Sequence, residues 1–240
     1  MMGKLCSMFR VLLLAALAAL LAQPATTTAA PAGFPFGDET LNYAVKLPGG
    51  VSVGTAHLRA RRDPARGWML DFTMDASMPN IPLTDHYASL ATADLCGIRW
   101  ERSSVHGARK VNEFTVVDRA RSIAVRATAG GGLTEIPVGS CPRDALTFLF
   151  YLRRELGQGR VPPNDTILFG GAYRINMVYT GAVNTTQDGR PSIADQVNCI
   201  VKGPASELHL EVLFARDAAR TPLVVRCPFA LGILTLELTH

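Results

Sequence analysis

The sequence predicts a mainly β domain: a curved antiparallel sheet or half-open, barrel-like meander closed over one buried α-helix at about residues 141–156. Three observations predict it. Apolar and polar residues alternate along most of the chain, the segments between the alternating runs carry turn chemistry, and one stretch breaks the period of two.

In chain order, Leu41, Tyr43, Val45 and Leu47 alternate with Asn42, Ala44 and Lys46, which puts one face on a core and the other toward solvent. Pro48-Gly49-Gly50 is a turn. The next run starts with Val51 and Val53 on one face and continues with Ala56 and Leu58 on the other, a change of phase that a bulge near Gly54 would produce. After a second turn from Asp63-Pro64 to Gly67, Trp68, Leu70, Phe72 and Met74 alternate with Asp71, Thr73 and Asp75. Further turns fall at Gly130-Gly131-Gly132, Asp188-Gly189-Arg190-Pro191 and residues 217–222. Alternating runs flank them, including Tyr173, Ile175, Met177 and Tyr179, and later Leu208, Leu210, Val212 and Phe214. Strands joined by short turns pair as antiparallel neighbours, so a meander is the simplest topology.

The exception is SCPRDALTFLFYLRRELG, residues 140–157. Pro142 and Asp144 are start signals for a helix, and Arg153, Arg154 and Gly157 are stop signals. Ala145, Phe148, Leu149, Leu152 and Leu156 form its apolar stripe, which Leu146, Phe150 and Tyr151 widen. A helix this apolar is buried on more than one side, and it is expected to cover the concave face of the sheet.

The first thirty residues read differently. Lys4 and Arg10 precede an apolar run over residues 11–22, and small residues follow, which is the order of a cleavable signal peptide. The run is well short of the roughly 20 residues that cross a bilayer. Ala22, Ala25 and Ala30 are each acceptable cleavage points, and Cys6 precedes the run, where a lipoprotein cysteine would follow it. Residues 1–30 are therefore assigned to a signal peptide and short linker, and residues 33–240 to a single β-rich domain with no transmembrane span after cleavage. The expected location is the periplasm or cell surface of a bacterium.

Export bounds the chemistry. The formal charge of +4 falls to +2 without Lys4 and Arg10, which does not suit a nucleic-acid partner. Cys96, Cys141, Cys199 and Cys227 remain, an even number that permits two disulfides in an oxidising compartment. Three pairings exist. Order along the chain favours Cys96 with Cys141 and Cys199 with Cys227, against the alternative that some are buried free thiols.

No catalytic, metal or cofactor motif stands out. His57, His86, His106, His209 and His240 are not at metal-ligand spacing, and no GxSxG turn or phosphate-cradling loop is present. Asp85 and His86 are adjacent, but neighbours on a strand point to opposite faces. A hydrolase built from Asp85, His86 and Asp144 is the least favoured reading. Arg59, Arg61, Arg62 and Arg66, with further arginines from Arg99 to Arg126, read as a solvated face or as a rim that meets anionic lipid or polysaccharide.

Three stretches resemble one family of exported bacterial proteins, the domain of unknown function 3108 family. They are FPFGDETLNYAVKLPGGVSVGTAHLRA, RDALTFLFYLRRELGQGR and FARDAARTPLVVRCPFALGILTLEL. The resemblance implies an envelope location and a β-rich fold, and it carries no catalytic set. It also implies a distant similarity to curled-sheet lipoprotein carriers that hold acyl chains between a half-barrel and several helices, although only one helix is legible here.

The functional expectation is a non-catalytic binding module for an apolar or amphipathic envelope ligand, such as a lipid, held by Trp68, Phe72, Phe148, Tyr151 and Tyr173 between sheet and helix. The bland alternative is that these aromatics simply fill the core. A structural or interaction module of an envelope assembly is the second expectation.

Overall fold

The computed structural model of the chain describes residues 37–78, 81–187, 189–204, 206–229 and 232–239. The signal segment expected over residues 1–30 and the turn residue Asp188 lie outside them, as does His240.

Among these described residues fifteen strands form one sheet. Eight run in succession: β1 (Glu39–Lys46), β2 (Ser52–Asp63), β3 (Gly67–Met78), β4 (Ile81–Ala91), β5 (Gly97–His106), β6 (Arg109–Asp118), β7 (Ile123–Thr128) and β8 (Leu133–Pro137). A short β9 (Arg143–Asp144) leads into α1 (Ala145–Gly157). Then follow β10 (Asp165–Leu168), β11 (Ala172–Gln187), β12 (Arg190–Lys202), β13 (Glu207–Ala215), β14 (Pro222–Phe229) and β15 (Gly232–Thr239). The sheet order runs from β8 down to β1, across to β15 and down again to β9. Each half is thus a meander, and the antiparallel β1–β15 ladder joins them. Only the β9–β10 pair is parallel. The expected half-open meander over one buried helix is the observed architecture.

The phase change in the second run has the expected cause. Val45 faces Gly54 while Lys46 faces Ser52, so Val53 is the extra residue of a bulge. Glycine is required beside it, because a Cβ at Gly54 would stand 2.1 Å from the Asp75 carbonyl oxygen and 2.5 Å from the Ala76 Cα.

The helix begins later than its sequence signals suggest. Residues 141–144 are not helical, because Arg143 and Asp144 pair with Ile167 and Leu168, and the Pro142 carbonyl accepts from the Gly97 N–H at 2.7 Å. Asp144 is the N-cap. Its Oδ1 accepts from the Leu146 and Thr147 amides, and its own N–H donates to Thr147 Oγ1, a reciprocal capping box. The end falls within one residue of the expected position. Gly157 is still helical, and Gly159, at φ +73°, is the left-handed residue that stops the helix.

One core forms on each side of α1. Leu146 and Phe150 pack with Tyr43, Leu58, Trp68 and Leu70 of the N-terminal half, while Phe148, Leu152 and Leu156 pack with Ile175, Val197, Val212 and Phe214 of the C-terminal half. Arg153, one of the stop signals of the helix, is 0% exposed. Its guanidinium donates to both Glu39 carboxylate oxygens, and its Nε donates to the carbonyls of Ala219 and Arg220. One side chain therefore ties the helix to the first strand and to the loop before β14.

The two sheet edges, β8 and β9, share no hydrogen-bonded ladder, so the sheet curls without closing. The Cys96–Cys141 disulfide fastens the β4–β5 turn to the segment before β9. Beside it, Trp100, Ala124 and Leu168 pack with Val117, Ile136 and Val138 across the opening.

The second expected disulfide does not form, and Cys199 and Cys227 are free thiols. Cys199 faces Leu210 on β13, and Cys227 follows Arg226, whose partner on β13 is Glu211. A whole strand therefore separates the two cysteines. Two ladder spacings of about 4.8 Å exceed the roughly 7 Å limit on the Cα separation of a bridged pair.

Candidate functional site

The five aromatics expected to hold a ligand do not converge. Trp68 is 2% exposed inside the N-terminal core, and the Arg62 guanidinium lies 5.1 Å from its ring. Phe72, half-buried, approaches Tyr87 at a ring-centroid distance of 6.1 Å. Phe148 is 3% exposed and belongs to the other core, edge-on to Tyr151 at 6.1 Å. Tyr151 contacts both cores and carries Arg143 at 3.7 Å and Arg154 at 5.1 Å from its ring. Tyr173 packs so closely on the Gly203 backbone that a Cβ there would stand 2.3 Å from the ring. The structure brings Phe148 and Tyr151 together and leaves Trp68 and Tyr173 in different cores, with α1 filling the space between sheet halves.

The polar residues of the inner face are likewise engaged with one another. Asp85 is buried and accepts from the Tyr87 hydroxyl at 3.2 Å and from His106 Nε2 at 2.9 Å. His86 points the other way, donating to Asp71 on the outer face at 2.8 Å. Asp144 accepts from Ser89 at 2.8 Å as well as capping the helix. Burial raises its carboxyl above the usual range, against the lowering effect of the bonds from Ser89, Thr147 and the Leu146 and Thr147 amides. The set Asp85, His86 and Asp144 is therefore divided between two faces and three separate bonds.

His106 is the partner of Asp85 that the sequence did not disclose, because the β4–β5 register brings together residues twenty-one positions apart. Cys227 lies within the field of the same carboxylate. Burial and then the Asp85 charge push its thiol up, the opposite of what a thiolate nucleophile needs. Burial alone pushes Cys199 up to about 12. Among the described residues no group of three or more His, Cys, Asp or Glu side chains could hold a metal ion.

Toward the open edge, the Phe169 and Tyr87 rings stack at 5.5 Å, the Arg102 guanidinium lies 4.4 Å from the first and 5.6 Å from the second, and Arg126 Nε donates to the buried Glu113 at 2.7 Å. A gap of about 20 Å³ beside these groups and Asp144 has room for about one water.

The larger concavity, about 590 Å³, lies mostly on the outer face of the N-terminal half. Met69, Leu90 and Phe114 line its floor, and Arg59, Arg61, Arg66 and Arg99 its rim. Met69 is 43% exposed and Phe114 39%, so apolar surface is open to water there. Of the arginines that the sequence left as a diffuse face, Arg59, Arg61, Arg66 and Arg99 are gathered around this groove.

No family model matches the sequence, and no curated protein matches it. Among solved structures, the chain is similar to a beta-barrel-like protein of domain of unknown function 1849 from Brucella abortus. The TM-score is 0.61 at 8% identity, over 83% of this chain and 94% of that one. At that identity the likeness shows the fold alone.

Proposed function

We propose that the chain is an exported bacterial envelope protein, belonging with the domain of unknown function 3108 family, that works as a non-catalytic binding module for an apolar or amphipathic envelope ligand. The observation that carries the reading is the outer groove, whose exposed apolar floor and arginine rim form a concavity of ligand size. Three features support it further. The acids and histidines Asp71, His86, Asp85, His106 and Asp144 are tied into separate bonds, the two free thiols are held protonated, and the amino-terminal segment has the order of a signal peptide.

One observation favours a second reading, an interaction module. Strand β11 has sixteen residues, but β10 covers only the first four. Beyond them, residues 176–187 carry no charge and no proline, and among the described residues no strand pairs with their outer edge. Such an edge can add a strand from a partner.

The discriminating experiment is mass spectrometry of material co-purified from native envelopes. The first reading expects a lipid or similar amphiphile and an intact mass that shows cleavage after Ala22, Ala25 or Ala30. A protein in fixed stoichiometry, with no small molecule, would replace the first reading by the second. An uncleaved amino terminus retained in the cytoplasm would overturn both.

A further inference from the structure

Paired residues of neighbouring strands share a face, so the outer side chains of β2 to β7 stand in cross-strand rows. One row reads Arg61, Met69, Leu90, Arg99, Val116 and Val125. The adjacent row reads Arg59, Asp71, Ala88, Glu101 and Phe114. Charge is sorted between them. The first row contains cations and apolar groups with no acid, while the acids of the groove are Asp71 and Glu101 in the second row and Asp63 in the β2–β3 turn. Two of those acids are occupied: Asp71 by His86, and Asp63 by the amides of Ala65 and Arg66. Among the described residues, Arg59, Arg61, Arg66 and Arg99 form no ion pair.

From this geometry we infer that the groove selects a lipid with a phosphate head, an inference that rests on the ligand-binding reading above. The head is placed at Arg61 and Arg66, which both line the groove beside the β2–β3 turn, and the acyl chain along the floor of Met69, Leu90 and Phe114. Guanidinium forks match phosphate oxygens, and unpaired ones need not first break a bond within the protein. The distance fits as well. From β3 to β6 is three ladder spacings, about 14 Å, close to half the ~30 Å hydrocarbon core of a bilayer, which is the length of one acyl layer. The stem of Arg99 crosses the path, and such stems lie along apolar surface while the charge stays in water. An anionic polysaccharide would use the rim and leave the floor uncovered.

Calorimetric titration of the full mature chain with dodecyl phosphate and with dodecyl maltoside, each below its micelle-forming concentration, tests this directly. Dodecyl phosphate is expected to bind at least about tenfold tighter, and Arg61→Ala or Arg66→Ala to cost about three- to tenfold each with dodecyl maltoside unaffected. Both arginines are exposed, so an unchanged melting temperature shows that the variants fold. Equal binding of the two amphiphiles, indifferent to the substitutions, would overturn head selection and leave the binding reading standing. Failure of both to bind would overturn the binding reading itself. Inorganic phosphate or alginate binding as tightly as dodecyl phosphate would overturn the lipid assignment.

Discussion

Replacing Arg153 by methionine would leave Glu39 charged and half-buried with its principal partner gone, and the carbonyls of Ala219 and Arg220 without their donor. Removing one member of a buried pair costs about 3–5 kcal/mol, far more than the pair itself is worth against an apolar substitute. Urea unfolding should show that loss for Arg153→Met, and Arg153→Met with Glu39→Gln should recover part of it. A loss below about 1 kcal/mol would mean that the clamp is not structural. At Asp195 the effect is pH-dependent. Burial alone would raise its carboxyl, but the bonds from Arg216 and Tyr179 and the charges of Arg216 and Arg220 outweigh it and hold the group below the usual carboxylate range. A depressed folded-state value gives stability that is present above the unfolded value of about 3.9 and is lost as pH falls through the folded one. The melting-temperature gap between wild type and Asp195→Asn should therefore be widest near pH 7 and close below about pH 4. A gap that is constant from pH 7 to pH 3 would show that the carboxylate charge does not matter. None of these roles was legible beforehand, because Arg153 and Arg154 look alike in sequence and only packing decides which of them is enclosed.

At the scale of elements, strand positions follow from local pattern and the exceptions follow from tertiary pairing. The alternation at Tyr43, Val45, Leu58 and Leu70 places each on the core, and the reversal of phase at Gly54 is a real bulge. Asp144 caps the helix as its residue type suggests, but the helix starts only after it because Arg143 and Asp144 pair with β10 and Pro142 accepts from Gly97, which no local signal encodes. Of the two expected cysteine pairs, Cys96–Cys141 forms and Cys199–Cys227 does not, because order along the chain is blind to an intervening strand. Only Cys96–Cys141 links the β4–β5 turn to the approach to β9, closing a separation of 45 residues. The oxidised protein made without residues 1–30, denatured and titrated with a thiol reagent, should yield two thiols, from Cys199 and Cys227. Zero would mean a second disulfide. Cys96→Ala with Cys141→Ala should lower stability by about 3–4 kcal/mol. Hydrogen exchange should then rise first around β9 and β10, where few strands hold the edge. Unchanged stability would remove the disulfide as the fastener of the opening.

Across the whole molecule, the fold class was readable because a period of two persists through both meanders and one segment departs from it. The site was not readable, because large aromatics at core positions look the same in sequence whether they fill space or border a cavity. Trp68 and Phe148 were singled out for size and proved to be packing, while Met69 and Phe114, ordinary in sequence, face water. Register is what assembled the groove: it aligned Arg61, Met69, Leu90 and Arg99 from four strands into one row. The concave face is covered by α1, so the site proposed above lies on the outer face. Methionine methyls report that choice between faces. Met69 is on the outer groove, whereas Met74 and Met177 are buried on the inner one. Carbon-13 methyl spectra of the protein titrated with dodecyl phosphate should show the Met69 signal moving and saturating while those of Met74 and Met177 stay fixed. Movement of Met74 and Met177 in its place, or of none of the three, would contradict binding at the outer groove.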